Sequence, residues 1–271
     1  MGKRVLPSDI TMVENDRIYA LDTARGICVI LMVCYHMFYT VGYIFGFGWA
    51  KSMFDFFTPI EPLFAGIFIL ICGISCQLSK SNLKRGLKLG ALAIVLTIVT
   101  YLISRYANLP DTGDIVIWFG ILHLLAVCIL LFALIKKVFN VIHPIFGVIL
   151  VLIPLMLLFR INSGIIGIGS FVIELPHSLY ESYILYPLGL SKPLASGDYF
   201  PILPWIFVFF AGCFLGVFFK KRQVPDGFYT DYFPKIGGIG RNALIIYVIH
   251  QPAIYAVTWL IVQLMKILGK G

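Results

Sequence analysis

Seven runs of the chain, at roughly 26–46, 59–79, 89–104, 115–135, 140–159, 202–219 and 243–265, approach the length that spans a bilayer. A hydrocarbon core of about 30 Å is crossed by about 20 apolar residues in an α-helix. Lipid offers no partner to an unpaired N–H or C=O, so such runs must be helical. The sequence therefore predicts an all-α integral membrane protein, a polytopic bundle of about seven transmembrane helices. Composition removes the soluble alternative. With 60% hydrophobic residues, 13% charged residues and a mean hydropathy of +0.95, too few polar residues remain to coat a globular core. No internal repeat is visible, and residues 1–271 read as one transmembrane domain.

Charge orients the bundle. The 21 lysines and arginines divide fifteen to six if the N-terminus lies in the cytoplasm, the external six being Lys51, Arg105, Arg160, Lys192, Lys266 and Lys270. That asymmetry predicts N-terminus in and C-terminus out, with 1–17 a cytoplasmic segment. The formal net charge of +8 comes as short clusters between apolar runs, which fits membrane topology and not nucleic acid. The first sixteen residues hold Lys3, Arg4, Asp9, Glu14 and Asp16 without an apolar stretch, so no cleavable signal peptide is expected.

Residues 160–201 contain Ile165–Leu175 and Tyr183–Leu190, apolar but each too short to span. An even number of crossings keeps Lys220, Lys221 and Arg222 cytoplasmic, so this segment is expected to form an external cap or a re-entrant hairpin. Prolines 144, 154, 204 and 252 predict kinks. All six cysteines lie in apolar runs. Cys72 and Cys76 share a helix face without a nearby His, Asp or Glu, and read as packing residues with no metal.

The first helix carries the richest pattern. Asp22 and Arg25 stand three apart and can pair near the cytoplasmic end. Eleven residues further on, His36 falls on nearly the same face about 16 Å higher. An ionisable side chain inside a membrane is expensive and usually faces a cavity or a partner, which makes His36 a candidate catalytic group. His123 and His250 fall at similar expected depth and join it as candidates for one polar chamber. Arg25, Arg241, Lys84, Arg85 and Lys88 form a basic set at the cytoplasmic mouths, suited to phosphates. On the external side, Glu61, between two prolines, and Trp49 are candidates for contacting a polar acceptor. Asp111 and Asp114 read as helix caps, while Glu174, His177, Glu181 and Asp198 add polar groups to the long external segment.

The pattern Arg17…Leu21-Asp22…Arg25-Gly26…Met32…His36 resembles the opening of the transmembrane acyltransferase superfamily. Within it the chain most resembles the heparan-alpha-glucosaminide N-acetyltransferase catalytic-domain family, especially its short bacterial members. Phe119-Gly120-Ile121-Leu122-His123 and Leu203-Pro204-Trp205 are similar to further signatures of that family. Gly240-Arg241-Asn242…Tyr247…His250-Gln251-Pro252 is similar to the closing helix shared with acyltransferase family 3.

The resemblance implies an acyltransferase in a bacterial plasma membrane that takes acetyl from cytoplasmic acetyl-CoA and passes it to a sugar or related envelope acceptor outside. His36 maps onto the proposed catalytic histidine of acyltransferase family 3, as general base or acyl carrier. The Asp22–Arg25 pair belongs to donor binding or to the helix entrance. The chain departs from the lysosomal enzyme, which has asparagine at the position of His36 and a later luminal histidine; Gly46-Phe47-Gly48-Trp49 contains none. Expected partners are acetyl-CoA, a glycan acceptor, the lipid bilayer and, as an open alternative, a second copy of the chain. A small proton-coupled transporter or channel using midplane histidines is the rival reading.

Overall fold

The computed structural model describes residues 17–106, 115–191, 194, 196 and 198–269. Asp111, Asp114, Lys192 and the first sixteen residues lie outside the described residues.

The described residues form helices α1 (Tyr19–Tyr39), α2 (Gly48–Phe57), α3 (Glu61–Leu78), α4 (Asn82–Tyr106), α5 (Ile121–Val141), α6 (Pro144–Leu158), α7 (Ile202–Lys220), α8 (Pro234–Arg241) and α9 (Ala243–Ile267). Among the described residues, seven helical segments are long and apolar enough to cross a membrane: Tyr19–Ile44, Glu61–Leu78, Asn82–Tyr106, Ile121–Val141, Pro144–Ser163, Ile202–Lys220 and Ala243–Ile267. The chain is an all-α polytopic membrane protein.

Two boundaries differ from expectation. The first span begins at Tyr19 rather than near residue 26, because Asp22 is neutralised by arginines on either side and the helix continues through it. The fourth begins at Ile121 rather than 115. Phe119 instead pairs with Tyr199 in a parallel β-bridge, and the Phe200 amide donates to the Phe119 carbonyl at 3.1 Å. Residues 115–120 are thus apolar but not helical.

The prolines also divide by position. Pro144 opens α6 in its first turn, where its missing N–H costs nothing. Pro154 and Pro252 lie inside α6 and α9, and next to Pro204 the α7 backbone leaves helical geometry at Leu203 (φ −95°, ψ 133°).

The described residues gather into two compact units, one made of the chain up to Glu61 with Val224 onward, the other of Pro62–Gln223. In the first unit, α1 packs along α8 and α9. Helices in lipid gain nothing from burying apolar surface against each other, so close backbone approach through small residues does the work. Gly26 and Gly240 supply it. A β-carbon on Gly26 would come within 2.1 Å of the Ile236 carbonyl oxygen, and one on Gly240 within 1.9 Å of the Asp22 carbonyl oxygen. Gly240 meets α1 at Asp22, and Gln251 meets it at His36, so α1 and α9 run in the same direction. After α1 the chain makes a π-helical turn over Thr40–Ile44 and then enters α2.

In the second unit, α4 packs on α5, and α7 on both α5 and α6. Phe139 centres an aromatic core, with ring centroids 5.1 Å from Phe132 and 4.5 Å from Phe214. Segment 160–201 contains a two-stranded antiparallel hairpin, β1 (Ile165–Ile168) with β2 (Phe171–Glu174), followed by 3-10 turns at His177–Tyr180 and Tyr183–Leu188. Its two apolar stretches are thus a strand pair and a short turn, and among the described residues it has no membrane-length helix. Tyr186 and Tyr199 stack at 4.4 Å, the Tyr199 hydroxyl donating to the Tyr186 carbonyl at 3.0 Å. Burial raises both phenols above their usual range, which keeps them neutral.

Candidate functional site

The first unit brings His36 and His250 together. His36 lies on the last turns of α1 and His250 about two turns into α9, with ring centroids 5.0 Å apart and planes inclined at 53°. His250 is 8% exposed, which places this imidazole inside the helix packing. Its Nδ1 lies 2.6 Å from the Tyr247 carbonyl oxygen, while its Nε2 has no hydrogen-bond partner among the described residues. Buried polar atoms are nearly always paired, so an orphaned ring nitrogen beside a second imidazole singles out this pair as a candidate for chemistry.

Residue 251 adds a third member. The Gln251 side-chain amide donates to His36 Nδ1 at 2.9 Å, and its oxygen accepts from the buried Thr40 hydroxyl at 3.3 Å. Thr40 opens the π-helical turn, a widening of the helix that often accompanies functional sites. Around the pair, Tyr35 meets His36 edge-on at 5.6 Å and stacks on Phe54 of α2 at 4.7 Å. Tyr35 also interacts with Thr58 and with the carboxylate of Glu61. Trp49 is 58% exposed at the start of α2 and meets Phe38 edge-on at 6.3 Å, so its indole is free to be covered by a ligand.

At the other end of α1, Asp22 accepts from Arg17 Nε at 2.8 Å and from Arg25 Nη1 at 3.1 Å. The Arg25 side chain is 19% exposed, and the pair therefore sits in a partly dry environment where charge counts for more. Arg241, at the end of α8, shares this neighbourhood. A β-carbon on Gly237 would lie 3.4 Å from Arg241 Nη1 and 3.7 Å from Thr23 Oγ1. The distance along α1 from Arg25 to His36 is eleven residues, about 16 Å.

The second unit holds the remaining candidates. His123 is fully engaged: its Nδ1 accepts from the Gly120 amide at 3.2 Å, and its Nε2 lies 3.2 Å from Thr97 Oγ1, whose proton goes to the Ile117 carbonyl at 2.7 Å. It closes the first turn of α5, beside Asp198, which accepts from the Ile121 amide at 3.0 Å. Lys84, Arg85 and Lys88 are exposed on the first turns of α4, and Arg85 Nη1 donates to the Ser75 carbonyl at 3.4 Å near the end of α3. Among the described residues no three His, Cys, Asp or Glu side chains gather as metal ligands.

The family model for "Heparan-alpha-glucosaminide N-acetyltransferase, catalytic" matches residues 17–252, which include every element described above except the part of α9 after Pro252. The chain belongs to the heparan-alpha-glucosaminide N-acetyltransferase catalytic-domain family. Comparison with curated proteins and with solved structures gives no match. Membership implies a transmembrane acetyltransferase. The matched residues contain His36 and His250 together with the arginines at the opposite end of α1. Thr40 and Gln251 are the functional candidates that residue type alone does not announce, since a threonine at a helix end and a glutamine inside a helix have many ordinary roles.

Proposed function

We propose that this protein transfers acetyl from cytoplasmic acetyl-CoA to the amine or hydroxyl of a sugar or related envelope acceptor on the other side of the membrane, at the His36–His250 pair. The 5.0 Å juxtaposition of these two imidazoles, one with an unpartnered ring nitrogen, supports the reading most strongly. Both units act as one acyltransferase domain, with the N-terminus in the cytoplasm and segment 160–201 outside.

The donor fits the arginine-rich end of α1. Acetyl-CoA carries phosphates that must stay near water, and Arg25, Arg241 and Arg17 present forked guanidinium donors there. Lys84, Arg85 and Lys88 of the second unit are cytoplasmic in this topology. The pantetheine arm then follows the 16 Å from Arg25 to His36 and delivers the thioester near mid-membrane. Glu61 and Trp49, at the opposite end of α1, are assigned to the acceptor: a carboxylate suits the amine or hydroxyls of a sugar, and an exposed indole suits its apolar face. His123, with both nitrogens engaged, is assigned a structural role.

The purified protein should transfer acetyl from labelled acetyl-CoA to at least one member of a panel of amino sugars, and His36→Ala should abolish the transfer. Undiminished acetyl transfer by His36→Ala refutes the assignment.

A further inference from the structure

Two adjacent histidines need not share one task, and the hydrogen bonds of this pair make them different. His250 Nδ1 faces the Tyr247 carbonyl oxygen at 2.6 Å. A carbonyl only accepts, so in the neutral ring Nδ1 holds the proton and Nε2 holds the lone pair. That lone pair is the buried atom without a partner among the described residues. His36 is the reverse case. Its Nδ1 faces the amide nitrogen of Gln251 at 2.9 Å, and an amide nitrogen only donates, so Nδ1 accepts and Nε2 holds the proton. In the same orientation of the amide, its oxygen accepts from the hydroxyl of Thr40, which is 1% exposed, at 3.3 Å. The bonds run in one direction, from Thr40 through Gln251 to His36.

We propose that Thr40 and Gln251 are positioning residues that hold His36 as an Nε2–H donor, and that the proton-accepting atom of the site is Nε2 of His250. The chemical part of this inference rests on the acetyltransferase reading; the assignment of tautomers does not. It moves the base from His36, where the sequence led us to expect it, to the neighbouring imidazole. In the transfer, the acceptor nitrogen or oxygen forms a bond to the thioester carbonyl carbon while its proton passes to His250 Nε2. The negative charge that develops on the carbonyl oxygen accepts a hydrogen bond from His36 Nε2–H. Collapse breaks the carbon–sulfur bond, and the CoA thiolate recovers the proton from His250 as CoA thiol, leaving both imidazoles neutral.

The test is spectroscopic and kinetic together. In protein carrying 15N-histidine and reconstituted into lipid nanodiscs at neutral pH, long-range proton–nitrogen correlation separates the two tautomers, and His36→Ala and His250→Ala assign the signals by deletion. His36 is expected in the Nε2–H form and His250 in the Nδ1–H form. Gln251→Glu replaces the donor with a carboxylate that only accepts. It should move the His36 proton to Nδ1 and reduce kcat about a hundredfold, as loss of a transition-state donor does, with the KM for acetyl-CoA unchanged. Thr40→Ser should retain the wild-type spectrum and kcat, whereas Thr40→Val should not. An Nδ1–H signal from His36 in the wild type, or a Gln251→Glu variant with unchanged spectrum and kcat, overturns the proposal. A wild-type protein that shows the expected tautomers but transfers acetyl to no acceptor overturns the acetyltransferase reading instead, leaving the tautomer assignment upheld.

Discussion

Replacing Gly240 with alanine adds one methyl group at the tightest point between α1 and α8. The new carbon would sit 1.9 Å from the Asp22 carbonyl oxygen, about 1.5 Å short of ordinary contact. Neither partner can yield by rotating a side chain, because the obstacle is backbone. The two helices must separate, and forced overpacking of this kind costs about 1–3 kcal/mol. Helix propensity alone would favour alanine by up to about 1 kcal/mol, which makes Gly237→Ala the informative control. It lies in the same helix, but its new carbon meets nothing nearer than Arg241 Nη1 at 3.4 Å, the end of a flexible side chain. Unfolding in mixed detergent micelles, followed by circular dichroism, should therefore show Gly240→Ala destabilised and Gly237→Ala equal to or slightly above wild type. Equal stability of Gly240→Ala and Gly237→Ala would refute the reasoning, since it would mean that α8 does not approach Asp22 so closely.

Other outcomes follow from the same contacts. Arg25→Ala and Arg241→Ala should each raise the KM for acetyl-CoA about tenfold or more while preserving kcat, the signature of lost uniform binding of a charged group; steady-state kinetics read it directly. Asp198→Ala removes the acceptor for the Ile121 amide at the start of α5 and should cost about 1 kcal/mol in the same unfolding assay. His123→Ala should lower thermal stability while leaving kcat per folded molecule unchanged, because both of its ring nitrogens are spent on Gly120 and Thr97.

The seven spans were legible because each is a continuous apolar run, and lipid leaves such a run no alternative to a helix. Their ends were less so. Residues 115–120 are as apolar as the helix that follows them, and tertiary bonds to Thr97, Thr100, Ser196 and Tyr199 hold them outside it. The short helices α2 and α8 lie where hydropathy is interrupted by Lys51, Asp55 and Lys235, and were not expected, although Pro234 is a good first-turn residue. The Asp22–Arg25 pair was readable from a spacing of three; the contribution of Arg17 was not, because it reaches Asp22 from outside the helix. His36 and His250 stood out because ionisable groups are rare in apolar runs. Their adjacency depends on α1 and α9 running in the same direction, and the roles of Thr40 and Gln251 depend on a tertiary contact across 211 residues of chain.

Transfer across a sealed bilayer gives the most direct test. In proteoliposomes holding protein of one orientation, labelled acetyl-CoA is supplied to the face bearing Arg25 and an amino-sugar acceptor to the opposite face. Wild type should acetylate the acceptor only in this arrangement, and replacement of both His36 and His250 by alanine should reduce the product to the level of empty liposomes. Product formed at the wild-type rate by the doubly substituted protein would contradict the assignment of chemistry to this pair.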